Sequence, residues 1–278
     1  MENPALLIRK RTNFGVAFAL LPRPQREAIR AVHAWSRFLD DAVDEERDPS
    51  LARERLQSTR HDLALVYDGG PAEEPLTEAL RPHVERFRIP RAYFEELVNG
   101  VEMDLVHHRY GTFAELRRYC YRVASIVGLI CLRIFGEAEE RGRAYAENLG
   151  LALQLTNILR DVGSDLARGR VYIPADELAQ FGVSEETLHR RERNRAFLEL
   201  MQFQAARARS FFQVAEREVQ ALDRRRLLAA EIMARVYSRL LDRIEASGFD
   251  VLAREVRISK LERVWIAAST ALAVRSTR

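Results

Sequence analysis

Cysteine is nearly absent from this chain. Cys120 and Cys131 are the only two among 278 residues, too few for a disulfide framework and without metal-ligand spacing, so buried thiols in a reducing compartment are expected. A long apolar run is missing as well. The longest candidate, Val123 to Phe135, falls short of the roughly 18 to 20 residues a spanning helix requires and contains Arg133. No uninterrupted apolar region follows Arg9-Lys10-Arg11, so no signal peptide is expected. The expectation is a cytoplasmic protein, at most peripheral at a membrane surface. Charge of one sign is lacking too: 44 basic residues, mostly Arg, stand against 41 acidic ones, and the net charge of +3 creates no strong field. There is no glycine-rich phosphate loop, no G-x-G-x-x-G and no H-E-x-x-H, which removes the common nucleotide and zinc-protease readings. The histidines are dispersed and support no Ser-His-Asp arrangement, and His107-His108 reads as surface loop.

What the chain has is helical pattern and apolar content. Nearly half of its residues are apolar, enough for a substantial core. Helices are predicted over about 25–46, 51–66, 75–86, 90–106, 112–135, 137–169, 184–219, 223–246 and from about 251 onward. Thr112 with Glu115 three residues on reads as a capping box, and Asp48-Pro49-Ser50 and Asp68-Gly69-Gly70-Pro71 as breaks. Val171-Tyr172-Ile173 reads as a short extended piece, and no alternating run is long enough for a sheet. An all-α single domain over residues 1–278 is the expectation.

Chemistry concentrates in two stretches. In Gln154 to Asp165, Asn157, Asp161 and Asp165 fall at i, i+4 and i+8 and share one helix face with Gln154, inside a run supplied by Leu149, Leu151, Leu153, Leu155, Ile158, Leu159 and Val162. Carboxylates in apolar surroundings are costly unless paired or bound to metal. In Arg37 to Glu45, Asp40 and Asp44 share a face, with Arg37 and then His33 each one turn earlier. An isolated Asp-x-x-x-Asp is usually a solvated face. Two such pairs on separate apolar helices are a different matter, because facing pairs repel unless hard cations lie between them. Magnesium fits, since it takes few protein oxygens and completes its shell with water and substrate phosphate. The implied ligand is a phosphate ester bridged by metal, with Arg37 and Arg160 available as direct phosphate contacts.

At these residues the chain resembles the squalene/phytoene synthase family, the head-to-head trans-isoprenyl diphosphate synthases, over about residues 12–262. The resemblance runs through Asn13-Phe14, Ala17 to Pro22, Arg37 to Glu45, Gly100 to Leu105, Tyr119 to Gly128 and, most specifically, Asn157-x-x-Arg160-Asp161-x-x-x-Asp165 followed by Arg168 to Pro174. It implies a helical bundle of the isoprenoid-synthase type around a large central hydrophobic cavity. It also implies two or three Mg2+ ions bridged by diphosphate and held by Asp40, Asp44, Asn157, Asp161 and Asp165. His33, Arg37, Gln154, Arg160, Tyr172 and Tyr237 would contact or orient substrate phosphate, and Tyr119 would stand near the carbocation. Arg257 and Lys260 would add charge. The family commonly has Ser where this chain has Asn13, and Tyr where it has His33.

Glu102 to Leu105, Tyr119 to Gly128 and Gly163 to Arg170 most resemble bacterial presqualene diphosphate synthases of hopanoid pathways, which implies condensation of two farnesyl diphosphates. Phytoene synthase acting on geranylgeranyl diphosphate is the alternative, and dehydrosqualene or squalene synthase a further one. Nothing reads as a reductant site, so no NADPH is expected. A reading of another class rests on Arg190 to Arg195 and Arg224 to Arg226, which would suit a helical protein binding nucleic acid or a membrane surface. Such runs are usually solvated faces, so no nucleic-acid partner is expected. For the Trp265 group core packing is expected, with a bilayer contact as the alternative.

Overall fold

The computed structural model describes residues 15–44, 46 and 48–276, with Val16 described by its backbone only. Asn13, Phe14 and Glu45, on which the resemblance partly rests, lie outside the described residues. The chain opens with α1 (Gly15–Ala19), α2 (Arg23–Asp44), α3 (Pro49–Asp68), α4 (Pro75–Glu78), α5 (Arg81–Phe87) and α6 (Arg91–Val106). It continues through α7 (Phe113–Cys120), a π turn (Tyr121–Ser125), α8 (Ile126–Phe135) and α9 (Glu139–Ala167). The remainder is α10 (Ala175–Gln180), α11 (Glu185–His189), α12 (Arg195–Glu218), α13 (Leu228–Ala246) and α14 (Lys260–Ser276). No strand forms among the described residues. One isolated parallel bridge, Arg109 to Val171, ties the loop after α6 to the loop after α9. The all-α expectation holds, and the extended piece at 171–173 is this bridge.

Several boundaries differ for local reasons. The helix predicted over 75–86 is two, because Pro82 lacks the N–H that would bond back to Glu78. The region from 184 to 219 is interrupted after α11, where Arg191 takes a positive φ of 55° and the Asn194 side chain then caps α12 by accepting from Phe197 N at 3.0 Å. The last helix begins at Lys260 rather than near Val251. Thr112 does cap α7, but the Glu115 carboxylate accepts from Gly111 N at 2.7 Å, one residue before the position a capping box uses.

α9 is the axis. α12 packs along it, α8 and the π turn cross it, and α13 lies beside it. The crossing is close because glycines replace side chains there. A Cβ on Gly150 would stand 2.6 Å from Ser125 Cα, and one on Gly128 2.7 Å from the Ala146 carbonyl oxygen. The Ser125 hydroxyl then donates to Glu147 O at 2.8 Å across the same crossing. Gly150→Val should therefore lose about 3 kcal/mol of stability, since the Ser125 and Ala124 atoms in its way are backbone that cannot rotate away. Urea unfolding measures it; an unchanged midpoint would refute the close crossing.

Candidate active site

A cavity of about 1630 Å3 lies between α1, α2, the π turn with α8, α9, α13 and the segment leading into α14. Its walls include Val32, Val127, Leu132, Phe135, Leu149 and Leu153. Its polar groups come from helix faces whose register the sequence sets. α2 contributes His33, Arg37 and Asp40 while Trp35, Leu39 and Val43 turn to the core. α9 contributes Gln154, Asn157 and Arg160 while Leu151, Leu155, Ile158 and Leu159 are buried. Tyr237 of α13 and Arg257 and Lys260 before and at the start of α14 complete the lining named for the site. Seven of the twelve expected site residues thus border one cavity. Asp44, Asp161, Asp165, Tyr119 and Tyr172 stand outside its lining.

The acids carry the electrostatic strain of the site. Asp40 keeps 48% of its side-chain surface, but that surface faces the cavity rather than bulk water. Loss of solvation pushes its carboxyl up to about 7, against the pull of Arg37 and with repulsion from Asp44, Asp104 and Asp41 added. Asp165 is also pushed up to about 7, by lost solvation and by Asp161, with Arg168 and Arg170 opposing. The other acids of the two motifs are met by arginines. Arg37 donates to Asp41 at 3.0 Å, and Arg160 forks onto Asp161, with its Nε 2.8 Å from Oδ1. Arg170 and Arg168 reach back from the loop after α9 to Asp44 at 2.7 and 3.3 Å, joining the two acidic helices. So Arg37 and Arg160, expected as phosphate contacts, lie against carboxylates.

Asn157 adds a different signal. Its amide N–H reaches Gln154 Oε1 at 3.4 Å, whereas its buried Oδ1 has no hydrogen-bond partner among the described residues. A buried acceptor without a donor is expensive unless something positive meets it. Among the described residues, no three His, Cys, Asp or Glu side chains gather closely enough to form a metal site by themselves. The donor set is nonetheless that of a hard cation: oxygens only, two carboxyls that resist ionising alone, and an orphaned amide oxygen.

Beside the cavity, the expected Tyr119 and Tyr172 meet on an acid that has no role in the sequence analysis. Asp104, near the end of α6, accepts from the Tyr119 hydroxyl at 2.9 Å and the Tyr172 hydroxyl at 2.8 Å. The Tyr119 and Tyr172 rings stack with centroids 5.3 Å apart, and Tyr110 lies over both at 5.6 and 5.9 Å. Burial raises Tyr119 well above an ordinary phenol, so its hydroxyl stays protonated and donates. Asp104 and Arg170 were within the quoted segments, but a single acid and a single arginine have no spacing to mark them. Their partners arrive through the bridge between the 109 and 171 loops, which is tertiary.

The chain is also similar in sequence and fold to known proteins. A family model described as squalene/phytoene synthase matches residues 7–262. A phytoene synthase of Arthrospira platensis is 38% identical over 253 residues, covering 86% of this chain and 81% of that protein. The squalene synthase HpnC from Alicyclobacillus acidocaldarius superposes with a TM-score of 0.80 at 27% identity, covering 88% of this chain and 93% of its own. A dehydrosqualene synthase in complex with ligand superposes with a TM-score of 0.87 at 24% identity, covering 98% and 95%, a likeness of fold.

Proposed function

The chain belongs to the squalene/phytoene synthase family and is a prenyl-transferring enzyme, and from that premise we propose that it joins two farnesyl diphosphates head to head into presqualene diphosphate. The observation that carries the reading is one large cavity with apolar walls that both acidic helices border, α2 through Arg37 and Asp40 and α9 through Gln154, Asn157 and Arg160. Its volume exceeds the roughly 300–1,000 Å3 of ordinary small-molecule pockets, as two long prenyl chains demand. The whole chain serves as one domain around it, in the cytoplasm or at a membrane surface.

Asp40, Asp44, Asn157, Asp161 and Asp165 would hold Mg2+, with the orphaned Asn157 Oδ1 among the donors. Bound there, the metal would neutralise the diphosphates and ease departure of one of them. Arg37 and Arg160 already stand beside these acids and would turn to the phosphate oxygens, aided by His33, Gln154 and Tyr237 from the cavity side. The apolar walls exclude water from the allylic cation left behind. The second prenyl double bond attacks that cation, and loss of one proton closes the cyclopropane. Tyr119 and Tyr172, fixed on Asp104 behind the cavity lining, would present ring faces toward the cation only if the substrate-bound site opens to them. The Arg-rich runs have other employment: Arg190 pairs with Glu186, Arg195 with Glu199, and Arg224 with Glu231.

A second substrate reading has its own support. The phytoene synthase likeness, at 38% identity, exceeds the 27% to the squalene synthase. Incubation with farnesyl or geranylgeranyl diphosphate, with Mg2+ and without NADPH, separates the two. A cyclopropyl C30 diphosphate from farnesyl diphosphate is expected. Phytoene from geranylgeranyl diphosphate would replace that reading with the longer substrate, and no product from either would remove both.

A further inference from the structure

α14 departs from the rule that a surface helix turns its apolar side inward. One face packs on α13 and α1 through Ile266, Ala267, Thr270 and Val274. The opposite face is apolar as well. Leu261, Val264, Trp265, Ala268 and Leu272 follow one another at i, i+3, i+4, i+7 and i+11, so they form a single stripe. Leu261 is 84% exposed, Trp265 70% and Leu272 66%. The expectation that the group Val264 to Ala268 packs in the core holds for Ile266 and Ala267 and fails for Val264, Trp265 and Ala268, which lie on the outer face. Scattered exposed leucines need no explanation, but a continuous stripe centred on a tryptophan does.

We propose that α14 is a membrane-docking helix that seats the protein on an anionic bilayer surface through Leu261, Val264, Trp265 and Leu272. Charge supports this occupant. Lys260 stands at one end of the stripe and Arg275 at the other. The sole acid of α14, Glu262, is turned aside to Arg239 and Arg243. Cations framing an apolar stripe with a tryptophan at its middle suit the headgroup boundary of a bilayer. A second copy of the chain fits less well. Antiparallel pairing of two α14 helices sets Lys260 against Arg275, parallel pairing sets like against like, and neither offers an acid from the stripe.

Position gives the surface a use, on the premise that the substrates are prenyl diphosphates. Ser259, Lys260 and Arg263 line the cavity at the start of α14, so a bilayer on the outer face of that turn adjoins the cavity wall. Leu20, just past α1, is 51% exposed and extends the apolar border where α1 meets α14. A long apolar product would leave toward the phase that dissolves it.

The test uses the full chain and vesicles of phosphatidylcholine, with and without phosphatidylglycerol as a minority lipid. Co-sedimentation with the anionic vesicles is expected, with weaker binding to the neutral ones. Tryptophan emission should shift to the blue on binding, and the shift reports Trp265, because Trp35 is fully buried and donates to Thr77. The combined variant Leu261→Ser, Trp265→Ser, Leu272→Ser should keep its helical circular dichroism and its turnover in detergent-dispersed substrate, and lose about tenfold or more in vesicle partition. Absence of binding by the unaltered chain would overturn the proposal. So would a dimer in sedimentation equilibrium that the variant dissociates while neither protein binds vesicles. Vesicle binding without turnover of any prenyl diphosphate would leave the docking surface standing and remove the proposed reaction instead.

Discussion

Asp161→Ala and Asp40→Ala are expected to give folded helical proteins that turn over prenyl diphosphate about 1000-fold more slowly than the unaltered chain, or slower. Each removes a carboxylate from a different helix, so each breaks the site from one side and leaves the opposite face intact. The packing around α2 and α9 rests on Trp35, Leu39, Ile158 and Leu159, which neither change touches. Stability distinguishes this from a damaged fold. The Asp40 carboxyl is raised to about 7 in the fold, chiefly by lost solvation, so between about pH 4 and pH 7 the folded state holds a proton that the unfolded chain has released. Stability therefore falls as pH rises through that window, and above it the buried charge opposes folding in full. Asp40→Asn should melt above the unaltered chain near pH 8 without metal, and the advantage should vanish near pH 4. Near-normal turnover by either alanine variant would sink the assignment, and a lower melting temperature for Asp40→Asn would mean that its carboxylate supports the fold rather than the reaction.

That opposition between function and stability explains what the sequence made legible. Asp40, Asp44, Asp161 and Asp165 could be found because four-residue spacing is local geometry, and because carboxylates within apolar helices violate a pattern the rest of the chain obeys. The order and class of the helices were legible for the same reason. Asp104 was not. It is one acid near a helix end, and its meaning comes from Tyr119 on α7 and from Tyr172, 15 and 68 residues away in sequence, the second brought in beside the loop bridge. The outer face of α14 was misjudged because apolar periodicity shows that a stripe exists, not which stripe of a doubly apolar helix the fold covers. Breaks at Pro82 and Asn194 had local signals, and the π turn at Tyr121–Ser125 had none that periodicity could reveal.

Divalent cation and protons should compete for the same oxygens. With Asp40 and Asp165 both raised to about 7 by burial and by repulsion from neighbouring acids, a cation entering below that pH must displace up to two protons. Metal affinity should be nearly flat above about pH 8. It should then fall as pH drops below 7, approaching about a hundredfold per unit when both carboxyls are protonated and tenfold when one is. Titration calorimetry with Mg2+ and inorganic diphosphate measures the slope, and proton release into buffers of different ionisation heat counts the protons directly. Asp165→Asn should halve the slope, since one of the two titrating groups is gone. Turnover should follow the same curve: a chelator abolishes it, added Mg2+ restores it, and more Mg2+ is needed at pH 6 than at pH 8. A metal requirement independent of pH across that range would mean the two carboxyls are already ionised without the ion, and the distribution of charge argued for the site would be wrong. The arginines bear on the same measurement. Arg170 and Arg168 occupy Asp44, and Arg160 occupies Asp161, so those two acids already face positive charge before any cation arrives. A cation that binds either of those two acids competes there with an arginine.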